Sequence, residues 1–161
     1  MKKIIIIGCP GSGKSTFSRC LRDKTGLPLY HLDMIWHKPD KTNVTREEFD
    51  KQHTKLLEGE SWIIDGHYCR TLSERFEKCD TVFFFDIPVE ECISGIESRV
   101  GKKREDIPWV EEEFDDEFRQ FVLDFPKIKL PAVFELIEKH KDKNIITFKS
   151  RKEAEDYLLS L

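Results

Sequence analysis

Apolar positions along this chain follow two alternating rhythms. Residues 2–7, 27–32, 62–65, 81–86 and 144–148 form five short runs of largely continuous apolar character. Each has the length of a strand, and continuous apolar runs suit a parallel sheet covered on both faces. Between them, apolar residues recur at three- and four-residue spacing: Phe17/Cys20/Leu21, Phe49/His53/Leu56/Leu57, Cys92/Ile93/Ile96/Val100, Val133/Leu136/Ile137 and Ala154/Tyr157/Leu158/Leu161. That spacing predicts amphipathic helices. Thr45 and Glu48 have the spacing of a capping box at the start of the second. Strand and helix alternate from end to end, which predicts a three-layer α/β domain with right-handed crossovers.

One stretch breaks the alternation. Residues 99–140 carry two or three helical patterns and no strand, so an insertion is expected there. Phe114, Phe118, Phe121 and Phe125 share one helical face; a packing stripe is the favoured reading, with an aromatic ligand platform as the alternative. Glu111, Glu112, Glu113, Asp115 and Asp116 read as the solvated acidic start of that helix, complementing its dipole, rather than as a metal site.

Composition narrows the class. The 161 residues suit a single domain spanning 1–161. Hydrophobic residues at 39%, with twelve Phe and three Trp, supply a packed core despite 36% charged residues. Lys plus Arg number 27 against 31 for Asp plus Glu, a net charge of −4, so no global basic field favours direct nucleic-acid binding. The longest apolar runs, from Ile4 to Ile7 and from Val82 to Phe85, are four residues long, far below the ~20 of a membrane span. Gly8, Pro10, Gly11 and Gly13 interrupt the apolar stretch behind Met1-Lys2-Lys3, which argues against a signal peptide. The five cysteines include no C-x-x-C pair. The expectation is a cytoplasmic protein without structural disulfides.

The chemistry is carried by Gly8-Cys9-Pro10-Gly11-Ser12-Gly13-Lys14-Ser15-Thr16, a full match to the phosphate loop G-x-x-x-x-G-K-[ST]. It follows a predicted strand and opens a predicted helix, as its mechanics require: glycines turn backbone amides inward and the helix start adds positive potential. A nucleoside triphosphate is the ligand this motif predicts. Lys14 meets its β- and γ-phosphates, Ser15 offers a hydroxyl to Mg²⁺, and Thr16 reaches the α-phosphate.

Three carboxylates end predicted strands, where an open α/β sheet binds its ligands. Asp65, followed by Gly66, is the first choice for orienting Mg²⁺, whereas Asp86 reads as a strand terminator. Asp33 could bind or deprotonate a phosphoryl acceptor, or merely cap a turn. His31 and His37 read as packing or loop residues, and Cys9 as a small loop residue. Cations for the transferring phosphoryl group come from Arg70 and Arg75, and from Arg99, Lys102, Lys103 and Arg104 in a stretch with the composition of a mobile cationic flap.

These residues resemble a known family. The phosphate loop, Leu32-Asp33 with Trp36, Trp62-Ile63-Ile64-Asp65-Gly66-His67-Tyr68, Thr71-Leu72 with Arg75, Asp80-Thr81-Val82 leading to Asp86-Ile87-Pro88, Arg104-x-Asp106 and Phe125-Pro126 are similar to the adenylate-kinase-related proteins called DNA topology modulation proteins. The resemblance spans nearly the whole chain. It implies a P-loop fold of nucleoside-monophosphate-kinase type, with a five-stranded parallel sheet ordered 2-3-1-4-5 and a lid at residues 99–108. It also implies that Lys149-Ser150-Arg151 lies near the adenine. Two positions depart from that pattern: His67 stands where Asn is common, and Gly95 where an arginine often stands, which leaves one fewer phosphate-facing charge. The expected function is ATP- and Mg²⁺-dependent phosphoryl transfer to a small acceptor, a nucleotide or nucleoside being favoured. The alternatives are a nucleotide-binding regulator or DNA-associated protein, and a slow NTPase. Lys14, Asp33, Arg75, Arg99 and Arg104 are the expected catalytic groups.

Overall fold

In the computed structural model, which describes all 161 residues, the five predicted strands form one parallel sheet. They are β1 (Lys3–Gly8), β2 (Leu29–His31), β3 (Trp62–Asp65), β4 (Thr81–Phe85) and β5 (Asn144–Phe148), in the spatial order β2-β3-β1-β4-β5. Eight helices surround them: α1 (Lys14–Thr25), α2 (Leu32–Trp36), α3 (Arg46–Leu57), α4 (Cys69–Lys78), α5 (Val89–Arg99), α6 (Asp116–Ile128), α7 (Leu130–Lys139) and α8 (Arg151–Ser160). The architecture is that of the nucleoside-monophosphate kinases.

The four isoleucines of β1 explain why that strand is central. Side chains alternate across a strand, so Ile4 and Ile6 enter a core with Phe17 and Leu21 of α1, Cys92 and Ile96 of α5, and Phe125 of α6. Ile5 and Ile7 enter the opposite core, with Phe49 of α3, Leu72 and Phe76 of α4, and Val133 of α7. A strand apolar on both faces has to be covered on both. The sheet order then reverses direction around β1, and a crevice opens at the carboxyl ends of β1, β3 and β4, where open α/β sheets bind ligands.

Local signals set most boundaries. The Thr45 side chain accepts a hydrogen bond from the Glu48 amide at 3.1 Å, Asp115 caps α6 through the Phe118 amide, and Ser150 caps α8 through the Glu153 amide. Pro126 in the last turn of α6 and Pro131 at the start of α7 bracket the break at Lys129.

Three expectations need correction. Helix α4 escapes a reading of apolar spacing because its buried face carries Thr71 and Arg75 beside Leu72 and Phe76. The acidic run opens the helix only in part: Asp115 caps α6 and Asp116 begins it, as expected, whereas Glu111, Glu112 and Glu113 belong to the connecting loop. The phenylalanine stripe is only partly a packing stripe. Phe125 is buried and Phe118 packs against the core, but both, with the 43% exposed Phe121, also line the cavity described below.

Candidate active site

The phosphate loop runs from the end of β1 into α1. Gly11 adopts φ +79°, and a Cβ there would lie 2.1 Å from the Cys92 carbonyl oxygen, so only glycine lets the loop lie this close to α5. The same contact requires glycine at position 95, where a Cβ would meet the Gly11 carbonyl oxygen at 2.3 Å and Arg151 Nη2 at 2.6 Å. Arg151 Nη2 donates to the carbonyls of Gly11 and Glu91, both at 2.8 Å, and thereby ties the loop to α5. The guanidinium from α8 occupies the space that the absent side chain at position 95 leaves and acts as a strut. Unlike α3, α6 and α8, helix α1 has no side-chain cap and no acid in its first turn, which leaves its free amides and positive dipole end for an anion. Lys14 Nζ donates to the Cys9 carbonyl at 2.8 Å.

Gly8, Pro10, Gly11, Gly13, Lys14, Ser15 and Thr16 line a cavity of about 1180 Å³, together with Arg151. Ser12 is fully buried beneath it. Ser15 Oγ lies 2.8 Å from Asp65 Oδ2, which also receives His31 Nδ1 at 2.7 Å. His31, expected to be a packing residue, therefore orients Asp65. Asp65 is 4% exposed and its Oδ1 has no hydrogen-bond partner. A buried carboxylate oxygen without a partner beside a hydroxyl is a donor set of hard oxygens that fits a divalent cation.

Asp33, Trp36, His37 and Tyr68 line the same cavity. The Tyr68 hydroxyl donates to Asp33 Oδ1 at 2.5 Å. Burial raises the Asp33 carboxyl above the ordinary carboxylate range, and the Tyr68 hydrogen bond and His37 pull it part of the way back. Burial, followed by the Asp33 charge, pushes the Tyr68 phenol up. Tyr68 itself sits at φ 34°, at the entry to α4. His67 Nδ1 accepts from the Gly8 amide at 3.3 Å, which puts its proton on Nε2. Burial and the neighbouring cations Lys14, Arg75 and Lys129 push His67 down to about 3.

Arg75 does not reach the cavity. It is 0% exposed, donates to the carbonyls of Gly66, His67 and Tyr68 and at 2.8 Å to Thr71 Oγ1, and contacts His53 at 3.3 Å. Burial lowers its guanidinium to about 10, so it stays charged at neutral pH. Arg75 pins the turn that carries Tyr68, and this is where it departs from the phosphate-facing role expected of it. Arg70 pairs with Asp50 away from the site, and Asp86 pairs with Lys149.

The loop 100–115 also differs from a free cationic flap. Arg99 Nε lies 3.0 Å from Glu111 Oε1, and Arg104 bonds both Glu111 and Asp106. Asp106 Oδ2 in turn lies 2.9 Å from Ser15 Oγ, and the Trp109 ring meets His37 edge-on at 4.7 Å. Both arginines line the cavity, but the loop's own acids hold them there, while Lys102 and Lys103 remain exposed. Sequence reasoning took Glu111 only for part of a solvated acidic helix start and did not single out Trp109. For Trp109 the only available signal was a large aromatic residue inside a polar segment.

A family model described as an AAA domain matches residues 4–120, which include the phosphate loop, Asp33, Asp65 and the loop that closes over them. The chain belongs to that family. No curated protein matches the sequence. Among solved structures, shikimate kinase from Acinetobacter baumannii in complex with shikimate superposes with a TM-score of 0.63 at 17% identity, covering 98% of this chain and 91% of that one. Deoxyadenosine kinase from M. mycoides with bound dATP gives 0.58 at 16%, covering 99% and 98%. A sugar kinase from Janibacter sp. HTCC2649 gives 0.58 at 18%, covering 99% and 91%. Identities this low establish the shared fold: a P-loop, kinase-like architecture over the full chain.

Proposed function

We propose that the protein is an ATP- and Mg²⁺-dependent phosphotransferase acting on a small acceptor, within the adenylate-kinase-related group that its sequence resembles. The observation that carries this reading is that one cavity is lined both by a phosphate cradle and by the Asp33 carboxylate, hydrogen-bonded to Tyr68. A pure nucleotide switch has no need of the latter. The kinase-like neighbours, one with shikimate bound and one with dATP, support the same reading.

The chain's own groups divide the work. Lys14 and the amides at the start of α1 bind the triphosphate, and Arg151 keeps the loop in shape for them. Ser15 and Asp65 would hold Mg²⁺, which when bound neutralises phosphate charge. Arg99 and Arg104, released from Glu111 and Asp106, stabilise charge on the transferring group. Asp33 orients an acceptor hydroxyl and takes its proton as the bond to phosphorus forms. The closed loop excludes water, which competes with the acceptor.

The test is a turnover screen with Mg·ATP against nucleosides, nucleoside monophosphates, sugars and shikimate-like alcohols, with Lys14→Ala as the blank. ADP formation above the no-acceptor control is expected for one acceptor class. Equal rates with every acceptor and with none would leave hydrolysis as the reaction.

A further inference from the structure

We propose that Asp106, carried by the loop 100–115, is a further protein group at the cation position of Ser15 and Asp65, so that closing the loop and binding the divalent cation are one event. The inference rests on the nucleotide-binding part of the reading above.

Two carboxylates converge on one hydroxyl. Ser15 Oγ is 2.8 Å from Asp65 Oδ2 and 2.9 Å from Asp106 Oδ2. A serine hydroxyl has a single proton and can satisfy only one of the two. Both acids are almost fully buried, Asp65 at 4% and Asp106 at 3% exposure. Asp65 Oδ1 has no partner at all, and leaving a buried charged oxygen unpaired is costly. Arg104 answers Asp106, through Nε at 3.0 Å and Nη2 at 2.6 Å, but is shared with Glu111. No protein group answers the Asp65 Oδ1 atom, and a small, hard dication beside Ser15 answers both carboxylates together.

These groups alone are too few to form a complete metal cage. A cation of this kind completes its shell with phosphate oxygens and water, so tight binding requires nucleotide. The loop is also tied down elsewhere, by the Gly101 amide to the Glu111 carbonyl at 2.6 Å and by Trp109 against His37. Asp106 is its one carboxylate that reaches Ser15. An opposite role would have Asp106 stand in for a phosphate, to be displaced when nucleotide arrives. The two roles predict opposite signs.

The experiment titrates Mn²⁺, followed by electron paramagnetic resonance, into the full chain saturated with a non-hydrolysable ATP analogue. Asp106→Asn is expected to weaken Mn²⁺ binding roughly tenfold or more, the scale on which groups around a metal act. Asp65→Asn should weaken Mn²⁺ binding as well. In the wild-type chain, Mn²⁺ added to the analogue complex should slow tryptic cleavage after Lys102 and Lys103; this arm holds even if the variant fails to fold. Unchanged or tighter Mn²⁺ binding in Asp106→Asn, or cleavage indifferent to Mn²⁺, would each overturn the proposal. None of these readouts requires turnover. A failed acceptor screen would therefore leave the proposal standing, and its failure would leave phosphoryl transfer standing.

Discussion

At the scale of single residues, the site turns on how Asp33 is held. Its carboxyl is raised by burial and restrained by the Tyr68 hydroxyl, which suits a base that must be ionised yet still take a proton. With a hydroxyl acceptor, Asp33→Asn should lower kcat by ~10²–10⁴ and leave ATP affinity nearly unchanged. Tyr68→Phe should move the acid limb of the kcat/KM profile to higher pH, because it removes the hydrogen bond that favours the carboxylate. If the acceptor already carries a phosphate, no general base is needed, and Asp33→Asn should chiefly raise the acceptor's KM. Steady-state kinetics with the acceptor found in the screen distinguish these outcomes. A variant unchanged in both parameters would reduce Asp33 to a turn cap.

At the scale of elements, the decisive packing is between α5 and the phosphate loop. The two backbones approach so closely at Gly11 and Gly95 that Cβ atoms have no room, and Arg151 fills the remaining space from α8. Gly95→Ala drives a methyl group into a backbone oxygen at 2.3 Å, so helix or loop must shift. The expected cost is ~1–3 kcal/mol of stability, with weaker binding of an ATP analogue because the displaced atoms belong to the cradle. Thermal melts and analogue titration measure the two effects separately. A variant with wild-type values in both would show that the contact is loose. The departure at position 95, which on the sequence looked like one phosphate-facing charge lost, is in the structure the condition for Arg151 to support the loop.

At the scale of the whole molecule, the buried imidazole of His53 and the half-buried one of His67 link stability to pH. Burial, reinforced by Arg75, lowers His53 from 6.5 to about 4, and burial with nearby cations lowers His67 from 6.5 to about 3. Below pH 6.5 the unfolded chain takes up protons that the folded chain refuses, so stability is fully present above 6.5 and declines as pH falls toward 4 and 3. Each imidazole accounts for about 2 kcal/mol at pH 5. Asp33, with its raised carboxyl, acts in the opposite sense. Melting temperature should therefore fall by several degrees between pH 7 and pH 5, and His53→Gln and His67→Asn should flatten that slope. Equal slopes in wild type and both variants would assign the acid sensitivity to other groups.

What the sequence determined by itself was local. Strand and helix periodicity follows from burying one face or both, and the five strands emerged within about two residues of their boundaries. The phosphate loop was legible because its chemistry is contiguous, nine residues running from Gly8 to Thr16. Asp65 was legible because it ends β3, and a carboxylate there must lie at the ligand-binding edge of the sheet; Asp33, expected to close the second strand, instead sits in the first turn of α2 just beyond β2, still at that edge. Tertiary structure decided the rest, since charge in a sequence does not reveal its partner. Arg75 looked free and is buried among carbonyls, while Arg99 and Arg104 looked free and are held by Glu111 and Asp106. Phe118, Phe121 and Phe125 share a helical face and all line the cavity, yet Phe125 is buried and Phe121 is exposed, a difference that spacing does not reveal. Asp106 meets Ser15 across 91 residues of chain, a contact that no spacing rule contains. It exists because the sheet order brings β1 beside β3 and the loop after α5 folds back over both.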